Sequence, residues 1–93
     1  MHTRFVWDNW KAAANRDKHG VTFEEARTCF ADPWQVAFYD PDHSHDETRE
    51  LLIGHSALGQ LLIVSYTLRG FDVRIISARK ATRTEAATYA QGI

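Results

Sequence analysis

Four cationic side chains lie close together between residues 72 and 85: Arg74, Arg79, Lys80 and Arg83. The stretch begins with β-branched residues typical of a strand and ends with the start of a helix. Neither element needs cations, because a buried strand has no use for arginine and a helix N-terminus is already positive. An anion is the simplest ligand for such a cluster. Arginine suits phosphate in particular, since its planar guanidinium group donates two parallel hydrogen bonds.

The same arginines have a structural alternative, which is to pair with Glu47, Glu50 or Asp72 in salt bridges. Geometry also restricts the phosphate interpretation. Arg74 and Arg79 are five residues apart, so a regular strand directs them to opposite faces. Both reach one site only if a β-bulge intervenes or the strand ends before Arg79.

A second group of polar residues lies near the N-terminus. Lys11, Asn15 and Lys18 share one side of a predicted helix at i, i+4 and i+7, which fits either an RNA-binding surface or an ordinary solvated face. His19 follows them just before Gly20. Histidine titrates near neutrality and can move a proton, but at a helix C-terminus it can equally cap backbone carbonyls.

Glu47 and Arg49 are two residues apart, hence on one face if the strand already begins there. A carboxylate beside a guanidinium group could act as a general base, or it could form an exposed ion pair of little consequence. Tyr66 and Tyr89 could stack on a base or donate a proton, although aromatic residues in strands and helices more often belong to the core.

The residue types do not favour a metal centre or another cofactor, and none is expected. The loop 42–46 carries the metal-ligand types Asp42, His43, His45 and Asp46, but four ligands in five residues cannot easily surround an ion. The single cysteine, Cys29, excludes an internal disulfide and a cysteine-rich zinc site.

Length and charge indicate one soluble domain spanning residues 1–93. Residues 1–20 carry four cations and two anions, residues 21–50 two cations and eight anions, and residues 51–93 five cations and two anions. A basic region could therefore bind phosphate, and the acidic middle could hold a basic partner. No apolar run is long enough to span a membrane, and the N-terminus lacks the apolar core of a signal peptide, so we expect a cytoplasmic protein.

The pattern of elements predicts an α+β fold. A first strand at about residues 5–7 precedes a helix over residues 9–19 and a short helix that carries Phe23, Ala26 and Phe30. Strands follow near residues 34–39, 49–55, 61–68 and 72–76, and a polar junction leads to a last helix over residues 83–91. Short connections favour antiparallel pairing. We therefore expect a small antiparallel meander with the helices packed on one face.

The chain resembles the BrnT toxins of bacterial type II toxin–antitoxin modules. The shared residues run in order along nearly the whole chain. They are Trp7, Asp8, Lys11, Asn15, Lys18, His19, Gly20, Val21, Phe23, Ala26, Asp32, Pro33, Glu47, Arg49, Ile53, Gly54, Tyr66, residues 74–81, Glu85 and Tyr89. The resemblance implies a RelE-like ribonuclease fold and cleavage of RNA, with mRNA the expected substrate, that inhibits translation. It also implies a BrnA-like antitoxin, through which alone the protein would reach operator DNA.

Taken with the resemblance, the residues suggest specific roles. Those expected to act in metal-independent attack by the RNA 2′-OH are Arg79, Arg74, Arg49, Glu47 and His19. Those expected to contact RNA are Lys11, Asn15, Lys18, Lys80 and Tyr66. The alternative is a non-catalytic module that uses the same basic patch to bind RNA or a protein partner.

Overall fold

The computed structural model describes residues 3–43 and 47–92, with backbone only for His43. Its elements are, in order, β1 (Arg4–Val6), α1 (Asn9–His19), α2 (Phe23–Thr28), a 3₁₀ turn (Cys29–Ala31), β2 (Val36–Tyr39), a second 3₁₀ turn (Pro41–His43), β3 (Glu50–His55), β4 (Leu61–Arg69), β5 (Asp72–Lys80) and α3 (Arg83–Gln91). His45 and Asp46, two of the metal-ligand types in the loop 42–46, lie outside the described residues, as does the side chain of His43.

Local signals set the helix boundaries as the sequence predicts. Asp8 accepts hydrogen bonds from the backbone N–H groups of Trp10 and Lys11 and so begins α1. Gly20 ends that helix in the left-handed conformation, with φ of 70°. Thr82 and Glu85 satisfy each other's backbone N–H groups in a capping box at the start of α3.

The sheet has the strand order β1-β5-β4-β3-β2. Strands β2 to β5 form the predicted antiparallel meander. The sheet as a whole is mixed, because β1 pairs with β5 in parallel. A parallel pair needs a long connection, and here all the intervening elements of the chain separate the two strands.

The two faces of the sheet are covered differently. Leu62, Val64 and Tyr66 point to the core that α1 and α2 cover, and we call this side the core face. Ile53 and Ile63 are paired neighbours on the other side. The side chains that α3 contacts also belong to that side, so we call it the α3 face. The expectation that the helices share one face thus holds for α1 and α2, whereas α3 packs opposite them.

Strand β5 is longer than the sequence predicts. Residues 77–80 were expected to form a junction between strand and helix, but they continue the strand as far as Lys80. The reason lies in the neighbouring strand, since β4 spans nine residues and pairs with β5 up to Leu62 and Lys80. Pairing with β4 therefore overrides the polar local sequence.

Candidate active site

A β-bulge in β5 decides where its two arginines point. Ser77 pairs with Ser65 and Ile75 pairs with Tyr66, so Ile76 is an extra residue without a partner in β4. As a result Arg74, opposite Thr67, and Arg79, opposite Ile63, share the α3 face. The condition under which both arginines could serve one surface is met. Their partners in β4 are four residues apart, which corresponds to roughly 13 Å along a strand.

Arg79 is joined to the first turn of α3. Its Nη1 and Nη2 atoms donate to the two carboxylate oxygens of Glu85 at 2.7 and 2.8 Å. The hydrogen bonds from Arg79 lower the pKa of Glu85 to about 2, and they raise that of the guanidinium group itself. The predicted alternative of a structural salt bridge is therefore realised, although with Glu85 instead of Glu47, Glu50 or Asp72. The Arg79 side chain remains 41% exposed.

Three other predicted catalytic residues come together at the far end of the α3 face. Glu47 accepts a hydrogen bond from Arg69 Nη2 at 2.7 Å. That bond is the main cause of a lowered pKa for Glu47, and the charges of Arg49 and Arg74 add to it. Glu47, Arg49 and Arg74 thus belong to one electrostatic cluster, with Arg69 as a member that sequence reasoning did not include.

Asn15 is buried, unlike the two lysines with which it shares a helical spacing. Its amide nitrogen donates to the carbonyl oxygens of Val21 at 3.0 Å and Ala78 at 2.8 Å, and its amide oxygen accepts from the N–H of Ala78 at 3.0 Å. Strand β1 pairs with β5 only at residues 72–74, so Asn15 takes the place of a strand neighbour further along that edge. Lys11 and Lys18 are exposed on α1.

The remaining predicted residues do not join the arginines of the α3 face. His19 is half-buried at the end of α1. Lys80 lies opposite Leu62 in the strand register, on the core face, and its side chain is exposed. Tyr66 is 6% exposed and packs edge-on against Phe30, with ring centroids 5.0 Å apart. Burial raises the pKa of Tyr66 to about 12. A side chain in this position suits the core better than stacking on RNA.

A cluster that the sequence did not predict as a site lies where β3 extends beyond β2. The Tyr89 hydroxyl group lies 2.6 Å from Asp32 Oδ2 and 3.0 Å from His55 Nδ1. Asp32 also accepts hydrogen bonds from the backbone N–H groups of His55 and Trp34. The three residues come from segments more than 20 positions apart, and no spacing rule connects them.

Comparison with known proteins agrees with this architecture. The model of the family described as ribonuclease toxin, BrnT, of type II toxin-antitoxin system matches residues 7–85. The chain belongs to this family. The match covers most of the chain, from the end of β1 to the first turn of α3. The family membership makes the protein a ribonuclease toxin with an antitoxin as its partner.

The BrnT fold is also found in a solved structure. The 1.1 Å crystal structure of the Brucella abortus ribonuclease toxin BrnT matches with a TM-score of 0.65 and 22% sequence identity, over 88% of this chain and 100% of that one. This likeness shows the fold. No curated protein sequence matches the chain. None of the helices within residues 3–43 and 47–92 has the length and apolar character of a membrane-spanning segment.

Proposed function

We propose that this BrnT-family chain cleaves mRNA on the α3 face of its sheet, through attack by the RNA's own 2′-OH and without a metal ion, and so inhibits translation in the cytoplasm. The observation that carries the proposal is the bulge at Ile76. It directs the guanidinium groups of Arg74 and Arg79 to the same face, where both can contact one RNA strand.

The chemistry requires three things of the protein. It must accept the proton of the 2′-OH, stabilise the charge that develops on the phosphate, and allow the 5′-oxygen to leave with a proton. Arg79 and Arg74 supply the positive charge. The hydrogen bond from Arg69 lowers the pKa of Glu47, which makes this carboxylate a weak base.

The test is to compare three substrates of one sequence in excess EDTA: RNA, DNA, and RNA with a 2′-O-methyl group at the cleavage position. We expect cleavage of the first alone, with 2′,3′-cyclic phosphate and 5′-hydroxyl ends, because the other two lack the free nucleophile. Cleavage that stops in EDTA, or products with 5′-phosphate ends, would show that a metal-activated water attacks instead.

A non-catalytic role is the second candidate, because the Arg79–Glu85 pair shows that one arginine already has a structural partner. The same experiment separates the two. A binding module would retard RNA in a gel and leave it intact. An active toxin would produce fragments from the RNA substrate.

For the antitoxin, we propose a BrnA-like protein whose basic segment adds to the open edge of β2 and which alone contacts operator DNA. Asp40 N donates a hydrogen bond to Arg49 O, next to the end of β2. Because alternate residues of an antiparallel strand bond to the same neighbour, the backbone groups of Ala37 and Tyr39 point away from β3. In the part of the chain that the structure describes, no strand pairs with that outer edge. Nearby, Trp34 and Phe38 expose apolar surface.

Charge supports the same partner. The edge lies within residues 21–50, which carry eight anions and two cations. A disordered basic segment would gain main-chain hydrogen bonds and charge complementarity as it becomes ordered on this edge.

A further inference from the structure

In the Asp32–His55–Tyr89 cluster, the hydrogen bonds run in one direction, from His55 through Tyr89 to Asp32, as in a proton-transfer site. Asp32 is buried, which opposes its ionisation, but the hydrogen bonds from Tyr89, His55 N and Trp34 N outweigh burial and lower its pKa. A carboxylate without a proton can only accept hydrogen bonds. The Tyr89 O–H group must therefore donate to Asp32, and the hydrogen bond raises the pKa of Tyr89 to about 12.

The state of His55 follows from that arrangement. Since the Tyr89 proton points to Asp32, the Tyr89 oxygen is left to accept, and His55 Nδ1 must carry the proton in the 3.0 Å contact. In the neutral ring the other nitrogen, Nε2, then has a free lone pair. The His55 side chain is 49% exposed, whereas that of Asp32 is 7% exposed. The buried Asp32 therefore holds the cluster in place, and the exposed His55 side chain is accessible to a substrate.

The position of His55 relates it to Arg79. Both belong to the α3 face, on β3 and β5, and they contact Tyr89 and Glu85, which lie one helical turn apart on α3. Two strand spacings and two residues along the strand place their Cα atoms roughly 12 Å apart. An arginine and a histidine can span that distance around one phosphodiester group.

We propose that His55 is the general base of RNA cleavage and that Tyr89 and Asp32 are positioning residues that fix its tautomer. The inference rests on the proposed ribonuclease activity. His55 Nε2 takes the proton of the 2′-OH as O2′ forms its bond to phosphorus. The bond from phosphorus to O5′ breaks, the leaving oxygen takes a proton from water, and His55 later returns its proton to solvent.

The decisive variant is His55→Asn. The Asn side chain places an amide group where Nδ1 lies, so it retains a donor to Tyr89 but has no counterpart to Nε2. We expect the rate of RNA cleavage to fall about 10²–10⁴-fold while the thermal unfolding midpoint changes little. In His55→Ala without imidazole, the acid limb of the pH–rate profile should disappear. Added imidazole should then restore part of the rate.

Tyr89→Phe tests the positioning role. It keeps the ring packed on His55 and removes only the hydroxyl group, so we expect a smaller loss of rate than in His55→Asn, in kcat and not in KM. A purely structural cluster would instead lower stability and leave the shape of the pH profile unchanged in every variant.

The outcomes separate this inference from the proposed function. A wild-type protein that does not cleave RNA would overturn both. A wild-type protein that cleaves, beside a folded His55→Asn variant with an equal rate, would overturn the role of His55 alone. If His19→Asn abolishes cleavage while His55→Asn does not, the base is His19 and the inference is wrong.

Discussion

Arg79 uses both ends of its guanidinium group on Glu85, yet it lies on the face proposed to bind RNA. The two roles are compatible if a phosphate group replaces or joins the carboxylate when RNA binds. The sequence pointed to this arginine as a ligand for an anion. It could not show which anion binds in the free protein, because that depends on where α3 folds back over β5.

Two substitutions separate the roles of Arg79. Arg79→Ala removes both the pair with Glu85 and the proposed phosphate contact, so we expect cleavage to fall by about 10²-fold or more, as for the loss of one charge-stabilising donor. Glu85→Gln removes only the pair, since glutamine still serves in a capping box. RNA cleavage by this control should remain close to wild type, because Glu85 has no part in the proposed chemistry.

Unfolding midpoints decide whether the comparison is valid. The pair is bidentate and the Glu85 side chain is only 22% exposed, so both variants should lose about 1–3 kcal/mol of unfolding free energy and remain folded. Equal losses of cleavage in the two variants would mean that Arg79 acts through the fold, and full activity in folded Arg79→Ala would remove it from the site.

Among the elements, α1 shows most clearly where sequence reasoning succeeded and where it stopped. The N-cap Asp8 and the terminal Gly20 are local signals, and both boundaries were predicted. The orientation of the helix was not, because Asn15 turns inward to the edge of β5, 63 residues away. A β-bulge was one of two conditions under which the sequence allowed both arginines to reach one site, but its presence and its place at Ile76 depend on the register with β4.

This arrangement predicts a structural role for Asn15. Asn15→Ala deletes three hydrogen bonds and leaves the buried backbone groups of Ala78 unsatisfied, so we expect a loss of about 2–4 kcal/mol in the free energy of unfolding. Urea denaturation measures it. Asn9→Ala is the control, since Asn9 is an exposed residue in the first turn of the same helix. A stable Asn15→Ala variant with weakened RNA binding would return Asn15 to the RNA-binding surface.

At the scale of the whole molecule, the two proposed interactions use different parts of one sheet. The arginines that would bind RNA lie on the α3 face, and the acidic segment that would bind the antitoxin ends the sheet at β2. The uneven charge along the chain indicates two surfaces but not their positions. Their arrangement required the strand order, which places β2 and β5 on either side of β3 and β4.

Ala37→Pro tests antitoxin binding at the β2 edge. Proline is tolerated on an edge strand where the N–H group points outward, so the ladder between β2 and β3 should remain intact. The product of the neighbouring gene should then bind the variant about tenfold or more weakly, as expected when one or two main-chain hydrogen bonds are lost. Ala37→Thr is the control, because it changes the same side chain and keeps the N–H group. Calorimetric titration gives both affinities. Calorimetry is valid only for folded variants, and RNA cleavage in the absence of the antitoxin shows that each variant is folded.

Equal antitoxin affinity for the two variants would place the contact elsewhere. A product of the neighbouring gene that neither binds nor inhibits the wild-type toxin would remove the proposed partner altogether.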